Sequence, residues 1–180
     1  SIGAKNQLAG MYIYGQGGSK DYSLAHSLML ENAKKNNITS QLNLAEFYKL
    51  GHLSPPNLTQ ALHWYQEAEK LCDLKNPLPE YCAEVHVSLG DMYEKGLGLD
   101  YSYTDAKSYY DKASATGYIR AYTKLGELYL HGNGVEKNYV TAKSWFDKAV
   151  IGDKPDPGAQ NNLGHLYEHG LGMSVDLNTA

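Results

Sequence analysis

Phenylalanine, tryptophan and cysteine are scarce in this 180-residue chain, at two residues each, while tyrosine appears sixteen times. No apolar run approaches the ~18 residues that a membrane-crossing helix needs. The opening residues, Ser1-Ile2-Gly3-Ala4-Lys5, lack the charged-then-apolar order of a secretory signal. An excess of positive charge is also missing. The formal net charge is −4, which argues against a surface built to hold nucleic-acid phosphates. What remains is a chain 42% hydrophobic, enough for one extended core and one domain by length.

The tyrosines account for much of their own excess. Tyr12, Tyr48, Tyr93, Tyr129 and Tyr167 each lie four residues after a leucine: Leu8, Leu44, Leu89, Leu125 and Leu163. A small residue follows each leucine (Ala9, Ala45, Gly90, Gly126, Gly164). A glycine stands three residues after each tyrosine (Gly15, Gly51, Gly96, Gly132, Gly170), and an alanine ten residues beyond that (Ala25, Ala61, Ala106, Ala142, Ala180). The tyrosine spacings of 36, 45, 36 and 38 residues are those of a stacked array.

Each unit reads as two helices. Counting from a small residue at slot 0 (Ala4, Ser40, Val85, Ala121, Ala159), slots +4, +5, +7 and +8 share one face of the first helix. The glycine after the tyrosine suits a left-handed cap. The second helix shows Ala61-Trp64-Tyr65-Ala68, Ala106-Tyr109-Tyr110-Ala113 and Ala142-Trp145-Phe146-Ala149, with Ala25-Leu28-Met29-Asn32 a weaker first copy. Large rings beside small residues let helices cross closely. That aromatic stripe reads as core and not as a cofactor box, so no cofactor is expected. Trp64, Tyr109, Trp145 and the five repeat tyrosines are expected to be mostly buried.

The pattern Ala-x-x-x-Leu-Gly-x-x-Tyr-x-x-Gly-x-Gly-Val, then Ala-x-x-Trp-Phe-x-x-Ala, resembles the Sel-one-like repeat (SLR), a relative of the tetratricopeptide helix pair. The stretch from Ala121 to Ala149 carries it best, with Leu125, Gly126, Tyr129, Gly132, Gly134, Val135, Ala142, Trp145 and Phe146 in place. The second unit departs from it, with Leu53-Ser54-Pro55-Pro56 where a second glycine should stand. The resemblance implies an all-α fold, a right-handed α-α superhelix of about five helix pairs. The repeats fall at about 4–37, 40–70, 85–118, 121–152 and 159–180, with an insertion at 71–83. Nine full helices and a tenth, truncated one are expected, with almost no strand. Such arrays need polar ends, so the chain reads as a fragment of a longer one, and its open ends predict weak self-association into a homodimer.

The insertion holds Cys72 and Cys82 and the prolines Pro77 and Pro79, which should break the helix. The cysteines are either bridged, a staple of roughly 2–3 kcal/mol, or two buried thiols. A bridge would indicate an oxidising compartment. Two glycosylation sequons, at Asn37 and Asn57, fall at turns or helix starts, where a glycan fits. With these hints the chain is similar to the luminal adaptor family of HRD-type ubiquitin ligases in endoplasmic-reticulum-associated degradation. The phrase Asn162-Leu163-Gly164-His165-Leu166-Tyr167-Glu168-His169-Gly170-Leu171-Gly172 carries that likeness. It implies an endoplasmic-reticulum lumen location and, as partners, ubiquitin-ligase subunits, lectin-type factors or misfolded glycoproteins. No nucleic acid or membrane contact is expected. Bacterial periplasmic or secreted SLR scaffolds are the rival reading, with a module regulating an attached enzyme as a third.

No catalytic constellation stands out, so the chain is expected not to be an enzyme. His165-Leu166-Tyr167-Glu168-His169 matches H-x-x-E-H, a zinc-protease pattern. Leu166 and Tyr167 are repeat residues, however, and the His165 slot holds Glu46, Asp91 and Glu127 elsewhere. On that ground no catalytic or metal role is assigned. The paired glycines follow helices and not a strand, so they are no phosphate loop. The partner-binding surface is expected on the first helices, at slots +6 and +9: Glu46, Lys49, Asp91, Glu94, Glu127, Leu130, His165 and Glu168. This inner face leans acidic and suits a polypeptide held extended or as a helix.

Overall fold

The computed structural model describes residues 1–74, 79–152 and 154–173. Among the described residues there are nine helices and no strand. They are α1 (Ile2–Tyr14), α2 (Tyr22–Ala33), α3 (Ile38–Leu50), α4 (Leu58–Leu74), α5 (Pro79–Lys95), α6 (Tyr103–Ser114), α7 (Ile119–His131), α8 (Tyr139–Ala149) and α9 (Pro157–Glu168). The chain is an all-α solenoid of about five repeats. The expected tenth helix would fall at 174–180, outside the described residues.

Helices pair as α1 with α2, α3 with α4, α5 with α6 and α7 with α8, and each pair packs on the next through sequential neighbours. First helices also touch along the array: α3 on α5, α5 on α7, α7 on α9. The second helices α4, α6 and α8 show no comparable mutual packing among the described residues. The first helices therefore form the tighter, inner side. Several ends of both first and second helices are satisfied locally. Asp21, Asn37, Ser102, Asn138 and Asp156 each cap a helix by accepting a backbone N–H three residues on. Gly15, Gly51 and Gly132 close α1, α3 and α7 in the left-handed conformation.

The closest approach within a repeat is an aromatic ring on a glycine. Tyr65, Tyr110 and Phe146 of the second helices are wholly buried. A Cβ on Gly90 would stand 2.5 Å from the Tyr110 ring, and one on Gly126 would overlap the Phe146 ring in the same way. Ala9 and Ala45 hold this slot in the first two repeats, buried in one cluster with Met29 and Tyr65. Between repeats, the loop after each first helix lies on the start of the preceding second helix. A Cβ on Gly134, itself at φ +68°, would meet Tyr103 at 2.5 Å, and Gly172 presses on Tyr139 likewise. Where the second repeat has Leu53 instead of this glycine, the side chain is about half exposed and the turn differs.

The core is continuous across these seams. Val85, Leu89 and Met92 of α5 join the cluster of the first two repeats, while Ala83 and Val87 of the same helix join α6 and α7. Leu130 of α7 turns to the next cluster, with α8 and α9. Among the repeat tyrosines, Tyr167 is a correction to expectation. Tyr12, Tyr48, Tyr93 and Tyr129 are half-buried, Tyr167 is 55% exposed, and Trp145 and Tyr109 are half-buried beside a buried Trp64. Tyr93, Tyr109 and Trp145 stack at the edge between the two helices of their own repeat instead of plugging the interior. Tyr93 lies on Tyr109 and Tyr122 on Trp145, with ring centroids 5.5 and 5.8 Å apart.

The insertion also differs from expectation. The helix does not break at once: α4 runs on to Leu74 and α5 starts at Pro79, each 17 residues against 11–13 for the others. Pro79 opens α5, where its missing N–H costs nothing. Pro77 lies outside the described residues. Cys72 and Cys82 form a disulfide, with Cα atoms 5.7 Å apart. The staple therefore ties the second repeat to the third across two lengthened helices.

The glycine slot yields a stability prediction. Gly126→Ala should destabilise the protein by about 1–3 kcal/mol, since its methyl must displace the Phe146 ring. Gly164 holds the same slot of α9, and among the described residues no neighbouring side chain lies within 4 Å of where its methyl would stand. Gly164→Ala should be neutral or stabilising by about 0.5–1 kcal/mol through helix propensity. Urea denaturation of the two variants checks this. Equal effects would show that the ring contact does not limit the slot.

Candidate partner-binding face

The face lined by α3, α5 and α7 is a ladder of charges already paired to one another. The Tyr65 hydroxyl, reaching across from α4, donates to Glu46 of α3, whose carboxylate also takes Lys49. One repeat on, the Tyr110 hydroxyl lies 2.8 Å from both Asp91 and Glu94 of α5. It has one proton, so it donates to one of the two carboxylates at a time. Arg120 of α7 pairs with Asp91. Lys124 of α7 stands 3.3 Å from Glu94 and 3.0 Å from Glu127. Burial opposes the Lys124 charge, but Glu127, Glu94 and Asp91 outweigh it and raise its pKa. Burial, followed by the neighbouring carboxylates, raises the Tyr65 and Tyr110 phenols well above their ordinary range.

The expected binding residues are thus divided. Glu46, Lys49, Glu94 and Glu127 are half-buried on this face. Asp91 and Leu130, expected to face a partner, are each only 6% exposed. Asp91 is drawn inward by the Tyr110 hydroxyl and Arg120, and Leu130 packs in the core with α8 and α9. His165 and Glu168 lie fully on the surface, on the far end of the array. The expected acidic lean is offset by Arg120 and Lys124, which reasoning on slots +6 and +9 passed over. The signal was present: Lys124 is three residues before Glu127, a helical pairing distance.

Arg120 also borders a cleft of about 740 Å³. Its walls come from the α6–α7 turn (Tyr118, Ile119), the α8–α9 turn (Lys154, Pro155, Pro157) and Glu80 of α5. The sequon residues differ in kind. Asn57 is exposed and caps α4 by accepting from the Gln60 N–H. Asn37 is half-buried, and its side-chain oxygen accepts from Ser40 and Asn6 in a polar seam that includes the buried Asn32. It serves as a cap as well as standing in a sequon.

The raised phenols predict an alkaline weakness. A folded-state pKa above the unfolded value gives stability that is full below pH ~10, the ordinary phenol pKa, and lost as pH rises beyond it. The denaturation midpoint should therefore fall more steeply between pH 9 and 11 in the wild type than in a Tyr65→Phe/Tyr110→Phe variant. The variant is expected to be weaker near neutral pH, since Asp91 and Glu46 lose their phenol donors and keep Arg120 and Lys49. The slope is the test, and equal slopes would contradict the assignment.

The sequence matches the Sel1 repeat family at residues 3–37, 38–71, 83–118, 119–151 and 157–180. A protective antigen of uropathogenic Escherichia coli with an SLR fold is similar over 96% of this chain, at 26% identity and a TM-score of 0.80. This chain spans 35% of that one. A Sel1 repeat protein from Oxalobacter formigenes is similar over 98% of this chain and 68% of its own, at 28% identity and a TM-score of 0.76. The Activator of C kinase protein 1 of Saccharomyces cerevisiae is 32% identical over 89 residues, which is 48% of this chain and 13% of the yeast protein. The nearly end-to-end match of five repeats, borne on the nine described helices with the repeat's glycines and alanines at their seams, places this chain in the Sel1 repeat family.

Proposed function

We propose that this chain is a scaffold that binds a polypeptide along the face of its first helices. Sel1 repeat proteins generally act in protein–protein interaction, and the repeat is typically non-catalytic. One observation supports the placement: Arg120, which pairs with Asp91 of the inner face, also lines the cleft between the α6–α7 and α8–α9 turns. The carboxylates and cations of the inner face are held by neighbours before any partner arrives, so little side-chain entropy is lost on binding. Such a face suits an extended or helical segment with polar groups of both signs.

The finer proposal concerns compartment. The Cys72–Cys82 bridge supports an oxidising one. With the exposed Asn57, it supports an adaptor in the endoplasmic-reticulum lumen, recruiting ligase subunits, lectin-type factors or misfolded glycoproteins. The likeness to the uropathogenic antigen favours a second reading, a scaffold of the bacterial envelope or a secreted one. Intact mass of the protein from its native source separates them. A glycosidase-sensitive mass on Asn57 together with the bridge supports the first. The bridge without glycan supports the second, and free thiols would remove both.

The binding face has its own test. A photo-crosslinking residue placed at Glu127 should capture a partner in the protein's native extract. The same residue at Gln66, exposed on the outer helix α4, should capture at most about a tenth as much, by mass spectrometry of the adducts. Equal capture at both positions would contradict an inner binding face.

A further inference from the structure

The last turn of α9 brings together His165, Glu168 and His169, all exposed. We propose that these three side chains form a metal-ion site for Zn²⁺ or a similar borderline divalent cation such as Cu²⁺ or Ni²⁺. One ligand atom from each lies within 4.8 Å of the other two, and the imidazole centroids are 4.4 Å apart. Atoms bound to one zinc at ~2.0–2.2 Å stand about 3–4 Å from each other, so small side-chain rotations close the set.

The tautomer is arranged for it. His169 Nδ1 lies 2.9 Å from the His165 carbonyl oxygen. A carbonyl only accepts, so Nδ1 carries the proton and Nε2 keeps its lone pair for a metal. An imidazole whose other nitrogen donates to a backbone carbonyl is the usual form of a metal-bound histidine. Two imidazoles and a carboxylate suit zinc, copper or nickel better than magnesium or calcium, which prefer oxygen alone.

The same helix surface is committed elsewhere in the array. Glu46 and Asp91, in the His165 slot, receive the Tyr65 and Tyr110 hydroxyls, and Glu94, in the Glu168 slot, is shared with Tyr110 and Lys124. In α9, none of the three side chains makes an ion pair among the described residues. An imidazole thus replaces the carboxylate that a phenol would clamp, and the freed carboxylate and a second imidazole stand beside it. Three protein ligands leave a coordination position for water or for a donor from a bound partner.

Titration of the metal-free chain with ZnCl₂ by calorimetry tests the site. One zinc per chain is expected, with His165→Ala and His169→Ala each weakening binding by at least about tenfold. His131→Ala, on the exposed end of α7, should leave it unchanged. Circular dichroism confirms that the variants fold, which their surface positions favour. Undiminished affinity in a His165→Ala/His169→Ala variant would overturn the proposal, since zinc would then sit on other histidines. So would absence of zinc binding by the wild type.

Discussion

The array depends on small residues in its first helices, against which a second-helix side chain seats, an aromatic ring in three of the repeats. Tyr110 on Gly90 and Phe146 on Gly126 set how near the two helices of a repeat come. A larger residue at Gly90 or Gly126 would overlap the ring as it stands, so the ring would have to shift. Burying an aromatic side chain removes a large apolar area from water, and at this distance it does so without leaving a void. In the third repeat the same ring has a second use. The Tyr110 hydroxyl passes beyond the core to reach two carboxylates of the inner face. Packing and surface electrostatics are joined there through one side chain.

Coupling between repeats is of a different kind. It combines loop glycines on the preceding helix start, the Tyr22 ring of the first repeat stacked on His52 of the second, and first helices that supply both of their sides to successive clusters. Each repeat is therefore stabilised by its neighbours and by little that is farther away. The Cys72–Cys82 bridge strengthens one of these seams, at the place where the lengthened α4 and α5 project beyond the repeat pattern.

The architecture was legible because it rests on residue size at fixed spacing. Leucine, small residue, tyrosine and glycine recur in register, and the structure turns that register into helix pairs. The depth of each ring was less legible. Periodicity distinguishes a face from its opposite, but it does not distinguish the middle of a face from its edge. Trp145 and Tyr109 sit one residue before the true plugs, Phe146 and Tyr110, and so lie at the edge. The insertion misled for a local reason: proline stops a helix from within but starts one well, and Pro79 is at a start.

The inner face was half legible. Glu46, Lys49, Glu94 and Glu127 fall on it as their slots suggest, but a helical wheel treats a helix as alone. It could not show that a phenol from the second helix would pull Asp91 inward, or that Arg120 and Lys124 would arrive from the next repeat to balance the charge. The central claim, that second-helix side chains seated on small first-helix residues organise an array whose repeats couple only to their neighbours, is most directly tested by native-state hydrogen exchange on Phe146→Ala. Protection should fall in α7, α8 and α9 and persist in α3 and α4. Loss of protection spread evenly from α1 to α9 would contradict the account.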